Sequence, residues 1–255
     1  EFWLIDRPVV AMGFDYPSGD VLARHRHGRC QLVHASTGVM TVTTDDGTWV
    51  VPPQRAVWVP AGIDHEIRMT GLVTMRTLYV RGDAAAALPP SCRVVTITPL
   101  LRELILAAVG LAQPYALGGP EERLVRVMLD ELLVMEEAPL HLPAVGDDRL
   151  LAITEALQAN PGDDRTLDDW SREAGASART IARLFVAETG MTFAGWRQQL
   201  RLARALELLA GGRAVTEVAV ELGYSSPSAF TAMFRRALGR TPGRYFEGDA
   251  SSAAS

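Results

Sequence analysis

The sequence predicts an α+β, multidomain protein. A β-barrel followed by two helices leads into an all-α domain built from two helix-turn-helix units. Three observations predict it. Between about Val9 and Val80, short runs rich in Val, Thr and aromatic residues are separated by turn signals. Beyond Pro99, apolar residues recur at helical spacing. In the last third one pattern occurs twice: a short amphipathic helix, a Gly, then a Ser placed to cap a longer helix. Its copies run over 166–190, with Gly175 and Ser177, and over 214–239, with Gly223 and Ser226. A chain of 255 residues has room for two separate cores.

Taken in order, the β segments are QLVHAST, GVMTVTT, TWVVP, AVWVP and MRTLYV, divided by TTDDGT, PPQR, PAGID and MTG. Many short strands at close spacing imply a sandwich or a barrel, and a barrel over 1–98 is the expectation. LLRELILAAVGLA and EERLVRVMLDELLVMEE then predict two helices within 99–137, the second with a stripe of Leu124, Met128, Leu132 and Met135. The Gly-Gly-Pro at 118–120 separates them. APLHLPAVGDD, at 138–148, predicts a linker, 149–247 the all-α domain, and 248–255 a disordered tail.

Composition excludes several classes. A hydrophobic fraction of 48% with 22% charged residues is that of a soluble globular protein. No apolar run approaches the ~20 residues of a membrane span, and the first residues lack the pattern of a signal peptide. Two distant cysteines, Cys30 and Cys92, make no disulfide framework, so a reducing cytoplasm is expected. Every basic side chain apart from histidine is Arg. The net charge of −5 hides an asymmetry: 177–247 holds ten Arg against five acids, whereas 147–176 holds eight acids against three Arg. Positive charge thus gathers where the second helices of the two units lie, the footprint of a nucleic-acid surface.

In the first unit, Leu167, Trp170 and Ala174 pack inward, as do Ile181, Leu184 and Phe185 of the second helix. Arg179, Thr180, Ala182 and Arg183 are left facing out. In the second unit, Val218, Leu222, Phe230 and Phe234 read as core. Pro227, Ser228, Thr231 and Ala232 face out, with Arg235 and Arg236 a turn later. The connecting FAGWRQQLRLARALELLAGG predicts a helix of about 18 residues, ~27 Å long. A spacer of that order suits helices entering grooves one DNA turn apart, ~34 Å.

The segment from about Leu150 to Phe246 resembles the AraC/XylS family of bacterial transcription regulators. VAVELGYSSPSAFTAMFRRALGRTPGRYF carries the likeness through Gly223-Tyr224, Phe234-Arg235-Arg236 and Thr241-Pro242-x-x-Tyr245. RLFVAETGMTFAGWRQQLRLARALELL resembles the first unit and its linking helix. The resemblance implies major-groove binding of double-stranded promoter DNA by both second helices, and contact with RNA polymerase. It also implies a homodimer built through the helices at 99–137. By position it marks Arg179, Ala182, Arg183, Pro227, Ser228, Thr231 and Ala232 as nearest the bases. Two alanines in that set leave recognition to thymine-methyl contacts and DNA shape.

His25, His27 and Gln31 share parity, so on one strand they face the same way, and His65 on the turn PAGIDH approaches from a paired strand. Imidazoles with an amide oxygen suit a divalent transition metal such as Zn, Ni, Co, Fe or Mn. Equally, they suit a pocket that hydrogen-bonds an organic ligand. The spacing resembles the cupin family: Gly19-x5-His25-x-His27-x3-Gln31-x6-Gly38 and Pro60-x-Gly62-x2-His65. Gln31 stands where metal-binding cupins carry Glu, and Gln54 and Met69 replace a Gly and an Asn of the second motif. Arg29, of the same parity, is a candidate partner for an anionic effector; Met40, Trp49 and Trp58 are candidate pocket walls. His34, of opposite parity, belongs to the far face, and His141 to the linker.

Together these features predict a cytoplasmic, non-enzymatic transcription regulator, activator or repressor, whose barrel senses a small molecule or a metal. Two rivals stand beside it: a metal-dependent cupin enzyme with a DNA-binding appendage, and a constitutive DNA binder whose barrel only dimerises.

Overall fold

A computed structural model describes residues 4–246; the expected tail at 248–255 lies outside them. The described chain divides into two units. One holds residues up to Asp45 with Trp49–His141, the other Asp46–Thr48 with the residues from Leu142 onward.

The first unit carries β1 (Val9–Tyr16), β2 (Val21–His25), β3 (Cys30–Ala35), β4 (Val39–Thr44), β5 (Gly47–Val51), β6 (Arg55–Val59), β7 (His65–Thr70), β8 (Val73–Val80) and β9 (Arg93–Thr96). After them come α1 (Pro99–Val109) and α2 (Pro120–Leu133); the short β10 (His141–Pro143) starts at the last residue of this unit, and the first two residues of β5 are counted with the other. The strands form two five-stranded sheets, ordered β1-β8-β3-β6-β9 and β10-β5-β4-β7-β2. This corrects the expected closed barrel, since among the described residues no strand ladder joins the two sheets. The edge strands are β1 and β9 of one sheet and β10 and β2 of the other, and at the β2 edge the β2–β7 ladder shifts register between Leu22 and His25, a bend that interrupts continued pairing.

Strand parity sorts the core. In the first sheet Leu32 pairs with Trp58 and with Leu78, and this face, with Val80, Ala56 and Val95, packs on α1 and α2. Leu101, Ile105 and Ala108 of α1, and Val125, Met128 and Leu132 of α2, complete that core. Thr98 caps α1 by accepting from the Leu101 amide, with Pro99 at the first helical position. The helices are shorter than their apolar patterns, and Leu124 and Met135 only border the core. Gln31, Val33, Thr77 and Tyr79 point to the opposite face, also buried.

The segment expected as a linker is not free over its first residues. The Ala138 amide donates to the Val94 carbonyl and the Val50 amide to the Leu140 carbonyl, while His141 stacks on Trp49 at 4.4 Å. Asp147 then caps the next helix.

The second unit is helical: α3 (Asp148–Ala159), α4 (Leu167–Glu173), α5 (Ala178–Thr189), α6 (Phe193–Ala210), α7 (Val215–Glu221), α8 (Pro227–Leu238) and α9 (Pro242–Tyr245). Thr166 and Asp169 form a reciprocal cap on α4. Ser177 accepts from the Thr180 amide and Ser226 from the Ala229 amide, so both serines cap as their positions predict. Trp170, Ile181, Phe185, Phe193 and Trp196 pack with Leu150, Ile153 and Leu157 of α3. In the second half, Phe234 meets Phe230 at 5.8 Å and Tyr245 at 5.4 Å between ring centres.

Candidate functional site

Three imidazoles converge in the first unit. His25 and His65 are partners across the β2–β7 ladder, their rings 4.3 Å apart. His27 lies on the turn from β2 to β3, its ring 5.2 Å from that of His65. One ring nitrogen of each lies within 4.8 Å of the others. The single strand expected to carry His25, His27 and Gln31 is therefore broken: His25 ends a strand of one sheet and Gln31 is the second residue of a strand of the other. The loop bearing Gly62 closes over the turn, its amide donating to the His27 carbonyl at 2.9 Å. At φ +80° this position favours glycine.

Main-chain carbonyls fix the chemistry of the rings. Nδ1 of His25 lies 2.9 Å from the Ala23 carbonyl, that of His27 2.7 Å from Arg29, and that of His65 2.9 Å from Ile63. A carbonyl only accepts, so each Nδ1 carries the hydrogen and each Nε2 is left as a lone-pair donor. Metal-binding histidines are oriented in this way. His65 is fully buried, and its Nε2 has no hydrogen-bond partner among the described residues. Burial, opposed by the Ile63 hydrogen bond and reinforced by the neighbouring His25 and His27, pushes its pKa down to about 4.

Gln31 adds an oxygen. Its amide donates to Thr77 Oγ1 at 2.9 Å, and that hydroxyl donates to the Leu32 carbonyl, so Oε1 is turned toward His27 Nε2 at 3.0 Å. With the hydrogen on Nδ1, both facing atoms are acceptors. A cation can be shared between them. Two ligands about 2.1 Å from one ion, at a right angle, stand roughly 3 Å apart. The donor set fits a divalent transition metal.

The other candidates separate. Arg29 is buried but donates to the Arg7 and Ile5 carbonyls, so it holds the segment before β1 instead of facing an effector. Trp58 faces α1 and α2, with its indole donating to the Pro89 carbonyl at 2.8 Å. Trp49 is taken up by the His141 stack. Met40 pairs with Met69, whose parity on β7 is that of His65, so it lies on the histidine-bearing face. His34 does sit on the far face, buried, with its pKa pushed down to about 4. Sequence reasoning missed Tyr79, the Gln31 partner on β8, whose ring stands edge-on to His27 at 5.2 Å. Burial first, then Tyr16, pushes its phenol up to about 12. The parity of Thr77 and Tyr79 in MRTLYV was the available signal.

On the second unit, Arg179, Arg183, Pro227, Ser228, Ala232, Arg235 and Arg236 are exposed, and Thr180, Ala182 and Thr231 partly so. Eight of the ten arginines divide by partner. Arg204 pairs with Glu207 and Glu221, Arg213 with Glu217 and Glu221, and Arg197 and Arg201 donate to main-chain carbonyls. Arg179 and Arg183 of α5, and Arg235 and Arg236 of α8, have no ion pair among the described residues. These four cations lie on the second helix of each helix-turn-helix, where a polyanion is met at little desolvation cost.

Residues 7–134 match the family model described as an AraC-like ligand binding domain, and 170–248 that described as a helix-turn-helix domain. The regulator NimR of Escherichia coli K12 is 38% identical over 221 residues, covering 87% of this chain and 81% of that protein. The chain belongs to the AraC family of transcriptional regulators. The activator RhaR of Escherichia coli O139:H28 is 24% identical over 96% of the chain and 94% of its own length. This AraC-family chain thus joins a ligand-binding unit to a DNA-binding unit, and the relatives it matches are regulators, not enzymes. No helix among the described residues is long and apolar enough to cross a membrane.

Proposed function

We propose that the first unit is a cupin-type sensor that holds a divalent transition metal (Zn, Ni, Co, Fe or Mn) through Nε2 of His25, His27 and His65 and Oε1 of Gln31. The observation that supports this is the set of three imidazoles, each held through Nδ1 by a main-chain carbonyl, that bring one ring nitrogen apiece within 4.8 Å of one another. Bound there, the metal would supply a Lewis acid for an oxygen or nitrogen of a small-molecule effector. The protein's part is to aim the imidazoles, brace the His27 turn with the Gly62 amide and place Tyr79 beside His27. The relatives that the chain matches are transcriptional regulators, which supports reading it as a regulator and not an enzyme. It acts in the cytoplasm.

Effector binding must favour one state of the regulator, because equal affinity for two states shifts neither. The output is read by Arg179, Thr180, Ala182 and Arg183 on α5, and by Pro227, Ser228, Thr231, Ala232, Arg235 and Arg236 on α8, against promoter DNA, with RNA polymerase as the further partner. Dimerisation through α1 and α2 is supported by Leu100, Leu106, Val127 and Leu133, which are exposed on those helices. The deciding experiment is elemental analysis of the purified full-length protein, repeated for His25→Ala with His65→Ala. Stoichiometric metal lost in the double variant supports the reading. A metal-free protein that binds no added Zn, Ni, Co, Fe or Mn overturns it.

A further inference from the structure

Arg201 belongs to the Arg-rich half of the chain, yet its guanidinium is turned inward. It lies on α6, half-buried, and its Nε donates to the Pro161 carbonyl at 2.8 Å. Its Nη2 reaches the Asp163 carbonyl at 3.0 Å and the Gly162 carbonyl at 3.4 Å. One turn earlier on α6, Arg197 donates to the Arg165 carbonyl at 3.0 Å. Two arginines of the linking helix therefore grip the loop that leads into α4. That loop is stiff in its own right, because Arg165 is held by Asp163 and Glu173 and lies 3.6 Å over the Trp170 ring.

The same loop touches the second helix-turn-helix backbone to backbone. A Cβ on Gly223 would stand 2.5 Å from the Gly162 carbonyl oxygen, and one on Gly162 would stand 2.6 Å from the Glu221 carbonyl oxygen. Gly223, at φ +73°, is the turn glycine between α7 and α8, and Tyr224 beside it lies 5.7 Å from the Arg201 guanidinium. The two backbones meet directly there, and close-packed contacts of this kind do not deform continuously. The turn that launches α8 is thereby tied to the loop that launches α4 and α5.

We propose that Arg201, Gly162 and Gly223 form a positioning set that fixes α8 relative to α5, so that the chain reads one composite site whose two boxes have a single allowed spacing. The proposal rests on the reading that α5 and α8 both enter DNA. On it, Arg201 contacts no phosphate; its charge is spent on three carbonyls.

The test uses the full-length chain and a duplex it selects from a random pool of roughly 30 base pairs, with the spacing between the two boxes changed by one base pair in either direction. Each step rotates one box by about 35° and moves it by about 3.4 Å. The wild type should lose about tenfold or more in affinity at either changed spacing. Arg201→Gln and Gly162→Ala should each lose about tenfold on the selected duplex, bind all three spacings within about threefold, and keep the wild-type affinity for a duplex with one box scrambled. Their salt dependence should match the wild type, whereas loss of a phosphate contact lowers the salt slope by about one. Arg201→Lys, which keeps the charge but not the forked donors, should fall between. A flat spacing profile in the wild type overturns the proposal without any variant. So does an Arg201→Gln protein that loses single-box and composite binding equally with a reduced salt slope. Failure to select any duplex, or protection of one box only, would overturn the two-helix reading itself.

Discussion

Replacing Gln31 by Glu separates a metal site from a hydrogen-bonding pocket. Gln31 is 2% exposed, its amide donates to Thr77, and its Oε1 faces His27 Nε2. The substitution removes the donor to Thr77, about 1–3 kcal/mol for a buried hydrogen bond. It also places a carboxylate where little water reaches it, a cost of several kcal/mol unless a cation or proton meets it. A net loss of about 3 kcal/mol in the metal-free protein lowers Tm by roughly 6–12 °C for a protein of this size. Metal at a hundred times its Kd returns about 2.7 kcal/mol, so most of the loss should be recovered. The assay is thermal melting of wild type and Gln31→Glu in a chelator and then with each of Zn, Ni, Co, Fe and Mn. A larger metal-dependent rise in the variant than in the wild type is expected. Equal melting with and without metal in both proteins would refute the reasoning, leaving the imidazoles to hydrogen-bond an organic ligand.

Arg183→Ala and Arg235→Ala should each weaken binding to the selected duplex by about 1–3 kcal/mol, roughly 5–150-fold. Arg204→Ala, already paired with Glu207, should leave it unchanged in the same titration. The buried His34 has its pKa lowered from 6.5 to about 4. The unfolded chain therefore binds more protons in that window, and stability holds above pH 6.5 and falls as pH drops toward 4, by about 3 kcal/mol from this residue. Denaturant melts of wild type and His34→Gln across that window check it; parallel curves would contradict the burial argument. Leu106→Glu with Val127→Glu, both on exposed helix faces, should convert a dimer to a monomer in sedimentation with little change in Tm. A dimer that persists would place the interface elsewhere.

The helical half was legible because its signals are local. A capping serine, a turn glycine and apolar residues three and four apart act within one or two turns, and Ser177, Ser226, Phe185 and Phe234 sit as their positions predict. The strands were legible as strands, but not their closure. The fate of an edge depends on partners far along the chain, and β2 meets β7 some forty residues later. Parity misled where a strand breaks: the numbering of His25, His27 and Gln31 treats as one ladder what the turn at 26–29 divides between two sheets. The residues still converge, because the turn carries the chain from one sheet to the other beside His65. Trp58 shows the complementary limit. Alternation says that it faces opposite to Gln31, but not that α1 and α2 cover that side.

By itself the sequence determined the family, the two-unit order, the caps and turns of the helices, and the residue types of the histidine cluster, all carried by neighbours in the chain. The tertiary structure decided which arginines stay unneutralised. Arg201 and Arg183 are alike in composition, and only packing sends one to the carbonyls at 161–163 and leaves the other exposed without an ion pair. It also decided that Arg29 is a brace and that Gln31 turns its oxygen to His27, since a hydrogen bond between distant residues exists only once the chain has brought both partners within about 3 Å.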